Sequence, residues 1–146
     1  MAKSTRTSET RARIMAAAAA LFLEHGYEGA TLPAILEAAG VSNGSFFHFF
    51  PKKADMAEAI CLEALESYFA AVHRAIPFGA QNPELTDVVR RLIGAYLIWT
   101  VTEYDAARLA ALLRPQMRGE AVLADMGRLN ASLEAKVANW VGPLIK

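Results

Sequence analysis

The sequence has a single cysteine, Cys61, no net charge, and no apolar run long enough to cross a membrane. One cysteine excludes an internal disulfide and is typical of proteins from the reducing cytoplasm. The longest apolar stretch, residues 92–101, is about half of the ~20 residues that a membrane-spanning helix needs. The polar segment 3–13 lacks the apolar core that secretory signals carry. We therefore expect a cytoplasmic protein without a membrane partner.

Side chains that carry catalysis or bind cofactors are equally scarce. The three histidines lie far apart in the sequence, and together with one cysteine they form no metal-binding pattern. No glycine-rich phosphate-binding loop, nucleophile elbow or pair of catalytic carboxylates is found. We therefore expect no enzyme activity, no cofactor and no metal.

Apolar and helix-forming residues are abundant. Hydrophobic residues make up 54% of the 146 and charged residues 21%, which excludes a disordered chain and favours a packed core. Alanine and leucine are frequent and β-branched residues are few, so we expect an all-helical fold. Residues 1–53 carry six lysines and arginines against four acids, and this basic N-terminal part favours a local DNA-binding surface.

Cap and stop residues divide the chain into seven predicted helices. A flexible polar arm, residues 1–7, precedes Ser8, which can cap the first helix. Gly26 can end that helix in the left-handed conformation, and Asp105 can cap the sixth. The predicted helices cover about residues 8–25, 31–39, 42–50, 52–76, 82–103, 105–114 and 120–141.

The third of these elements, residues 42–50, is ambiguous from its local sequence. Asn43-Gly44 followed by four phenylalanines is also typical of a hairpin turn and an aromatic strand. We favour a helix, because no neighbouring segment can pair with such a strand. Four phenylalanines in five positions cannot all face solvent, so we expect Phe50 and one of the others to lie in the core.

Residues 31–53, TLPAILEAAGVSNGSFFHFFPKK, predict two short helices joined by a tight glycine turn, the core of a helix-turn-helix. Gly40 permits a turn with positive φ, and Ser42 can cap the second helix. The pattern resembles the DNA-binding domain of the tetracycline-repressor (TetR) family over about residues 8–60. The matching residues are Thr31, Ile35, Ala39, Gly40, Val41, Ser42, Gly44, Phe50 and Lys53, with Ser45 a near match and Phe22, His25, Gly26 and Tyr27 upstream.

The resemblance implies a two-domain, all-α architecture and a function. We expect a three-helix helix-turn-helix DNA-binding domain over residues 1–53 and a helical ligand-binding and dimerisation domain over residues 54–146. The last two helices of the family are expected to be missing from the second domain. A protein of this kind is a ligand-responsive transcriptional regulator, most often a repressor, which binds a palindromic double-stranded DNA operator as a homodimer and answers to a small-molecule effector.

The resemblance also implies which side chains meet DNA. Asn43, Ser45 and Phe46 would lie nearest the bases, while Thr31, His48 and Lys53 would hold the phosphate backbone. Ser42, Gly44 and Phe47 complete the expected DNA-binding set.

Several positions depart from the family pattern. Phe47 and Phe49 stand where tyrosine or histidine is usual, so phosphate hydrogen bonds there are lost or replaced by packing on thymine methyl groups. Asn43 replaces a common lysine, and Leu36 replaces a small alanine at the helix crossing. These departures leave an alternative open: a helical small-molecule-binding or interaction protein of the same fold that has lost DNA binding. His48 can equally be a simple surface residue, and Lys53 can simply favour the exposed start of the next helix.

The candidate effector-binding residues are aromatic or soft side chains of the second domain, namely Tyr68, Tyr96, Trp99 and Met117. Such residues at helical spacing can equally form plain core. Cys61 can be a redox sensor or an inert packing residue, and His73 a ligand contact or a packing residue.

A last expectation concerns apolar residues that one domain of this size would struggle to cover, namely Trp99, Leu129, Leu133, Val137 and Trp140. Large exposed apolar patches usually mark interfaces. We expect these residues to be covered by a further part of the polypeptide or by a second copy of the chain.

Overall fold

A computed structural model of the protein describes residues 2–76 and 84–142, and this part of the chain is helical with no strand. The all-α prediction is therefore confirmed, and the element predicted at 42–50 is a helix, Asn43–Phe49, rather than a strand. The helices are α1 Ala2–Gly29, α2 Leu32–Ala39, α3 Asn43–Phe49, α4 Lys53–Ala75, α5 Leu85–Thr102, α6 Tyr104–Leu113 and α7 Glu120–Val141. A short 3-10 turn, Arg114–Gln116, follows α6.

The first helix begins earlier than the sequence predicted. It starts at Ala2, so the expected flexible arm is wrong and Ser8 lies inside the helix rather than at its cap. Serine and threonine cost a helix only a few tenths of a kcal/mol each, and a formed helix extends through such residues more cheaply than it starts anew. Similarly, α6 begins at Tyr104, which places Asp105 in its first turn. The residues between the fourth and fifth predicted helices, and the expected start of the fifth at residue 82, lie outside the described residues.

Gly26 interrupts α1 near its end. Its backbone has φ 73° and ψ 173°, a combination that only glycine adopts readily, instead of the left-handed helical conformation that the sequence suggested. The carbonyl of Gly26 then accepts a hydrogen bond from the amide of Ala30 at 3.2 Å. The chain thereby turns out of α1 and reaches α2 within a few residues.

The described residues group into two compact units. Unit 1 is drawn from Met1–Cys61 and Arg108–Gly119, and unit 2 from Leu62–Ala107 and Glu120–Lys146. Helix α4 contributes residues to both. The functional division at residue 53, with a DNA-binding domain before it and a regulatory domain after it, stays a prediction.

Unit 1 is built on fully buried apolar side chains from its helices. Ile14, Phe22 and Ile35 are 0% exposed, and burial of each contributes on the order of 1.5–3 kcal/mol. The segment 108–119 is tied to this unit by polar contacts as well. Glu58 accepts hydrogen bonds from the amides of Arg118 and Gly119 at 2.9 and 2.8 Å.

Unit 2 has a smaller core formed by α4, α5 and α7. Its buried centre is Val72, Ile76, Val88 and Ala95, and Tyr68, Ala75, Leu92, Leu133 and Val137 pack against it. The amine of Lys136 donates to the carbonyl of His73 at 2.6 Å, which ties α7 to α4. His73 thus contributes a backbone contact to the packing of unit 2.

For three of its five residues, the expectation of an uncovered apolar surface is wrong, and for Leu129 and Trp140 it stays a prediction. Trp99 is 5% exposed, and Leu133 and Val137 pack on the core of unit 2, while the side chain of Trp140 lies outside the described residues. Among the described residues, most of the exposed large apolar side chains lie on α5. These residues are Val89, Ile93, Tyr96, Leu97, Ile98 and Val101. No helix in the described part of the chain is long and apolar enough to cross a membrane.

Candidate DNA-binding interface

The turn between α2 and α3 has the geometry that the sequence predicted. Gly40 lies in the left-handed region, at φ 63° and ψ 41°. Its amide donates to the carbonyl of Glu37 and the amide of Val41 donates to that of Leu36, both at 3.1 Å. This pair of bonds is the Schellman motif, which satisfies the last carbonyls of α2 and fixes the direction in which the chain leaves it.

Side-chain oxygens cap the N-terminal ends of both short helices, as predicted. The hydroxyl of Thr31 accepts from the amide of Ala34 at 3.4 Å, and Pro33 lies in the first turn of α2, where proline is tolerated. The hydroxyl of Ser42 accepts from the amide of Ser45 at 3.3 Å and donates to the hydroxyl of Ser45 at 3.2 Å. Gly40 and the two caps therefore define where α2 ends and where α3 begins.

Helix α3 has one buried side and one exposed side. Phe46 is 0% exposed, and its ring packs against that of Phe50 with 5.8 Å between centroids. The prediction that Phe46 lies nearest the bases is therefore wrong, because its side chain is buried in unit 1. Phe50 is also buried, which confirms that it belongs to the core.

The exposed side of α3 is made by residues that are one and four positions apart, as a helix requires. They are Asn43, Gly44, Phe47 and His48. Phe47 is 51% exposed and packs edge-on against Phe46, with 5.3 Å between ring centroids. Ser45 is half-buried, and its hydroxyl is bonded to Ser42. Of the three residues expected nearest the bases, Asn43 is the one whose side chain is both exposed and polar.

Lys53 has a partner that the sequence did not reveal. Its amine donates to the backbone carbonyl of Tyr27 and lies 4.3 Å from the centroid of the Tyr27 ring. Burial lowers the pKa of the Lys53 ammonium, and the nearby Glu28 carboxylate opposes that change. Lys53 thus holds the chain segment after the Gly26 kink, and its contact with phosphate stays a prediction.

Lys52 is a cation at the same end of α4 that the expected DNA-binding set omits. It is exposed, and its amine lies 3.7 Å from the carboxylate of Asp55, which also accepts from the Lys52 amide at 3.1 Å. The charge count of residues 1–53 includes this lysine, but the family pattern singles out only Lys53. The structure makes Lys52 the more exposed of the two.

Three of the four predicted effector-binding residues lie together in unit 2. The Tyr68 ring is 5.2 Å from that of Trp99 and 6.1 Å from that of Tyr96, measured between centroids. The indole nitrogen of Trp99 donates to the hydroxyl of Ser67 at 2.8 Å. Trp99 is buried and Tyr96 is exposed, so the cluster joins the core of unit 2 to its surface.

Met117 does not share that cluster. It belongs to unit 1, where its sulfur lies 3.2 Å from the sulfur of Cys61. Burial raises the pKa of the Cys61 thiol to about 11, and the positive charge of Arg114 opposes the shift. The thiol therefore stays protonated near neutral pH, which supports a packing role for Cys61 over a redox role. Met117 is accordingly a packing partner of Cys61.

A groove that the sequence did not reveal lies along α4 and α5 within unit 2, with a volume of about 490 Å³. It is lined by arginines and small residues, and none of the predicted effector-binding residues takes part in its lining. The sequence alone did not reveal the groove, because its lining residues come from two helices and meet only when α4 and α5 pack together. Within residues 2–76 and 84–142, no three His, Cys, Asp or Glu side chains gather into a group that could hold a metal ion.

The sequence of this helix-turn-helix region is similar to those of known regulatory proteins. Residues 14–60 match the family model described as bacterial regulatory proteins, tetR family. The chain is 38% identical over 63 residues to the HTH-type transcriptional repressor AcnR of Corynebacterium glutamicum, an alignment that covers 43% of this chain and 34% of AcnR. It is 28% identical over 134 residues to the HTH-type transcriptional regulator TcmR of Streptomyces glaucescens, covering 90% of this chain and 58% of TcmR.

A solved structure agrees with the fold. The crystal structure of a tetR-family regulatory protein from Rhodococcus RHA1 superposes with a TM-score of 0.72 at 25% identity, covering 91% of this chain and 70% of that one. The chain spans between about a third and three fifths of the length of the two curated relatives. Over residues 14–60 the chain is therefore similar to the tetR family of bacterial regulatory proteins, and its order of helices is similar to that of the regulator from Rhodococcus RHA1.

Proposed function

We propose that the protein is a DNA-binding transcriptional regulator that represses from a palindromic operator as a homodimer and releases DNA in response to a small-molecule effector. The observation that carries the proposal is the presentation of α3: a capped helix, directed by the Gly40 turn, whose outer side holds Asn43, Gly44, Phe47 and His48. The relatives AcnR and TcmR are described as a transcriptional repressor and a transcriptional regulator.

The exposed side of α3 has the chemistry to read base edges in the major groove. The Asn43 amide can donate to and accept from adenine, a pairing specific to that base. Phe47 offers an apolar edge to a thymine methyl group. Gly44 has no side chain, and a Cβ there would meet only the Ser42 hydroxyl oxygen at 3.9 Å, so packing does not require a glycine. We infer that Gly44 leaves room for the DNA backbone or a base edge to approach.

Phosphate contacts would come from the residues around α3. The Thr31 hydroxyl accepts a hydrogen bond within α2, which leaves its own proton available to donate to phosphate oxygen. His48 is exposed on the outer side of α3, and Lys52 is exposed just after α3 in the sequence. Two such units in a homodimer would place their α3 helices about 34 Å apart, in successive major grooves of a palindromic site.

The test is a titration of the protein with DNA from upstream of its own gene, at several stated salt concentrations. We expect Asn43→Ala to weaken binding to the operator by about tenfold or more while leaving non-specific binding almost unchanged. Asn130→Ala is the matched control, because Asn130 is exposed on α7 in unit 2. Equal binding of operator and unrelated DNA would favour the alternative, a ligand-binding or interaction protein of this fold without DNA recognition.

A further inference from the structure

The groove in unit 2 combines positive charge at its rim with small apolar residues at its floor. Arg74 on α4 and Arg90 and Arg91 on α5 line it, whereas Asp87 is the one acid in its lining. Its volume of about 490 Å³ falls in the range of small-molecule pockets, roughly 300–1,000 Å³. A local excess of cations is notable in a chain whose formal net charge is zero.

The three arginines of the groove differ in whether their guanidinium groups have a protein partner. Arg90 pairs with Asp87, with 2.5 Å between the guanidinium nitrogen and the carboxylate oxygen. That pair neutralises the only acid in the lining. Within the described residues, the guanidinium groups of Arg74 and Arg91 have no hydrogen bond or ion pair to a protein group. Two guanidinium groups are therefore available to an anion at this groove, and each can bind a carboxylate through two parallel hydrogen bonds.

Gly94 keeps the floor of the groove open. It lies in the interior of α5, where glycine costs roughly 0.5–1 kcal/mol relative to alanine. A Cβ at this position would meet no atom within 4 Å, so the packing of unit 2 does not demand a glycine. A side chain larger than that of alanine would instead occupy the groove, whose floor also includes Ala71, Ala75 and Ala95.

We propose that this groove binds a small amphipathic anion, an organic monocarboxylate whose charged end meets Arg74 and Arg91 and whose apolar body lies along the alanine and glycine floor toward Ile98. Charge complementarity selects the carboxylate, and the apolar floor selects against small inorganic anions. The further step, that this compound is the effector, rests on the function proposed above. The groove would then replace the aromatic cluster of Tyr68, Tyr96 and Trp99 as the effector site.

The binding test needs no DNA. Calorimetric titration of the protein with octanoate, 1-octanol and acetate separates the two halves of the ligand, since octanol lacks the charge and acetate lacks the apolar body. We expect saturable binding of octanoate at one site per chain, and binding at least tenfold weaker for octanol and for acetate. Octanol that binds as tightly as octanoate, or the absence of any octanoate binding, would overturn the proposal.

Variants locate the site. Arg74→Ala and Arg91→Ala should each weaken octanoate binding by about tenfold or more. Arg128→Ala removes the same charge from an exposed arginine on α7, which is paired with Asp125, and should leave binding unchanged. Gly94→Leu should fill the groove and abolish binding, whereas Gly94→Ala should retain it. Thermal unfolding of each variant shows that it is folded. Equal losses in the Arg128 variant, or full binding by the folded Gly94→Leu variant, would refute the site.

The effector role is tested by adding octanoate to the complex with DNA. We expect DNA affinity to fall for the unsubstituted protein and to stay constant for Arg91→Ala. If octanoate binds but DNA affinity does not respond, the groove is a binding site without an effector role. If the protein binds no operator DNA at all, the proposed function fails, and the calorimetric titrations still decide whether the groove takes the anion.

Discussion

Helices α3 and α5 both have strongly apolar sequences, yet they expose apolar side chains in different ways. In α3 a single phenylalanine, Phe47, is exposed, and its neighbours on that side are Asn43, Gly44 and His48. In α5 the exposed residues Val89, Ile93, Leu97 and Val101 follow one another at intervals of four, which gives a continuous apolar stripe.

The difference shows that the kind of partner an exposed apolar residue suits depends on the side chains around it. One aromatic ring among hydrogen-bonding groups suits the edge of a base pair, which presents a methyl group beside donors and acceptors. A continuous apolar stripe suits another apolar surface instead, because no polar group on it could satisfy a phosphate or a base. The two helices therefore point to different kinds of partner.

The sharpest test of this comparison lies within α3, and it carries the largest expected effect on stability. Phe46→Ala should lower the free energy of unfolding by about 3–5 kcal/mol, because it removes a fully buried ring. Phe47→Ala should cost about 1 kcal/mol or less and should instead reduce the preference for an operator with thymine at the contacted position. Chemical denaturation of both variants measures the difference, and equal losses of stability would contradict the assignment of Phe46 to the buried side and Phe47 to the exposed side of α3.

The second test concerns the turn that presents α3. Gly40→Val should weaken DNA binding about a hundredfold while preserving most helicity, because the left-handed conformation costs a residue with a side chain about 1–2 kcal/mol and a β-branched residue more. Gly40→Asn is the control, since asparagine tolerates this conformation. A Cβ at Gly40 would meet no atom within 4 Å, so any effect is conformational rather than steric. Circular dichroism measures the helicity of each variant, and the DNA titration measures its affinity. Full DNA binding by the valine variant would contradict the role of the turn.

A third test compares the two lysines beside α3. If Lys53 contacts phosphate as the family resemblance implies, Lys53→Ala weakens binding to all DNA sequences alike and lowers the salt slope by about one unit. The same substitution should also destabilise the fold by about 1–3 kcal/mol, because it removes the hydrogen bond to the Tyr27 carbonyl. Lys52→Ala should change the slope with little loss of stability. If Lys52→Ala lowers the salt slope of DNA binding and Lys53→Ala does not, the phosphate contact belongs to Lys52 rather than to Lys53.

The α5 stripe offers the smallest expected change in stability. Leu97→Glu and Val101→Glu alter residues that are 55% and 77% exposed, so each should change the free energy of unfolding by no more than about 0.5 kcal/mol. If a second copy of the chain covers the stripe, the double variant should sediment as a monomer at concentrations where the unsubstituted protein is a dimer. Thr86→Glu, exposed in the first turn of α5, is the matched control. Unchanged self-association would place the dimer contact on another surface.

The sequence by itself determined the helices and the helix-turn-helix. Gly40, Thr31 and Ser42 act through hydrogen bonds within a few residues of themselves, so the local pattern was enough to locate the turn and both caps. The same local signals failed at Ser8, where a possible cap lies inside a longer helix, because the cost of serine within a helix is small.

Only the tertiary structure decided which side of each helix faces outward. Phenylalanines stand at 46, 47 and 49 in a helix of seven residues and at 50 directly after it, so the sequence pattern alone could not distinguish buried Phe46 from exposed Phe47. It likewise brought Lys53 to the carbonyl of Tyr27, Met117 to Cys61, and Arg74 to the same groove as Arg91. Each of these pairs joins residues from different segments of the chain, and a contact of that kind depends on how the segments pack rather than on the order of residues within any one of them.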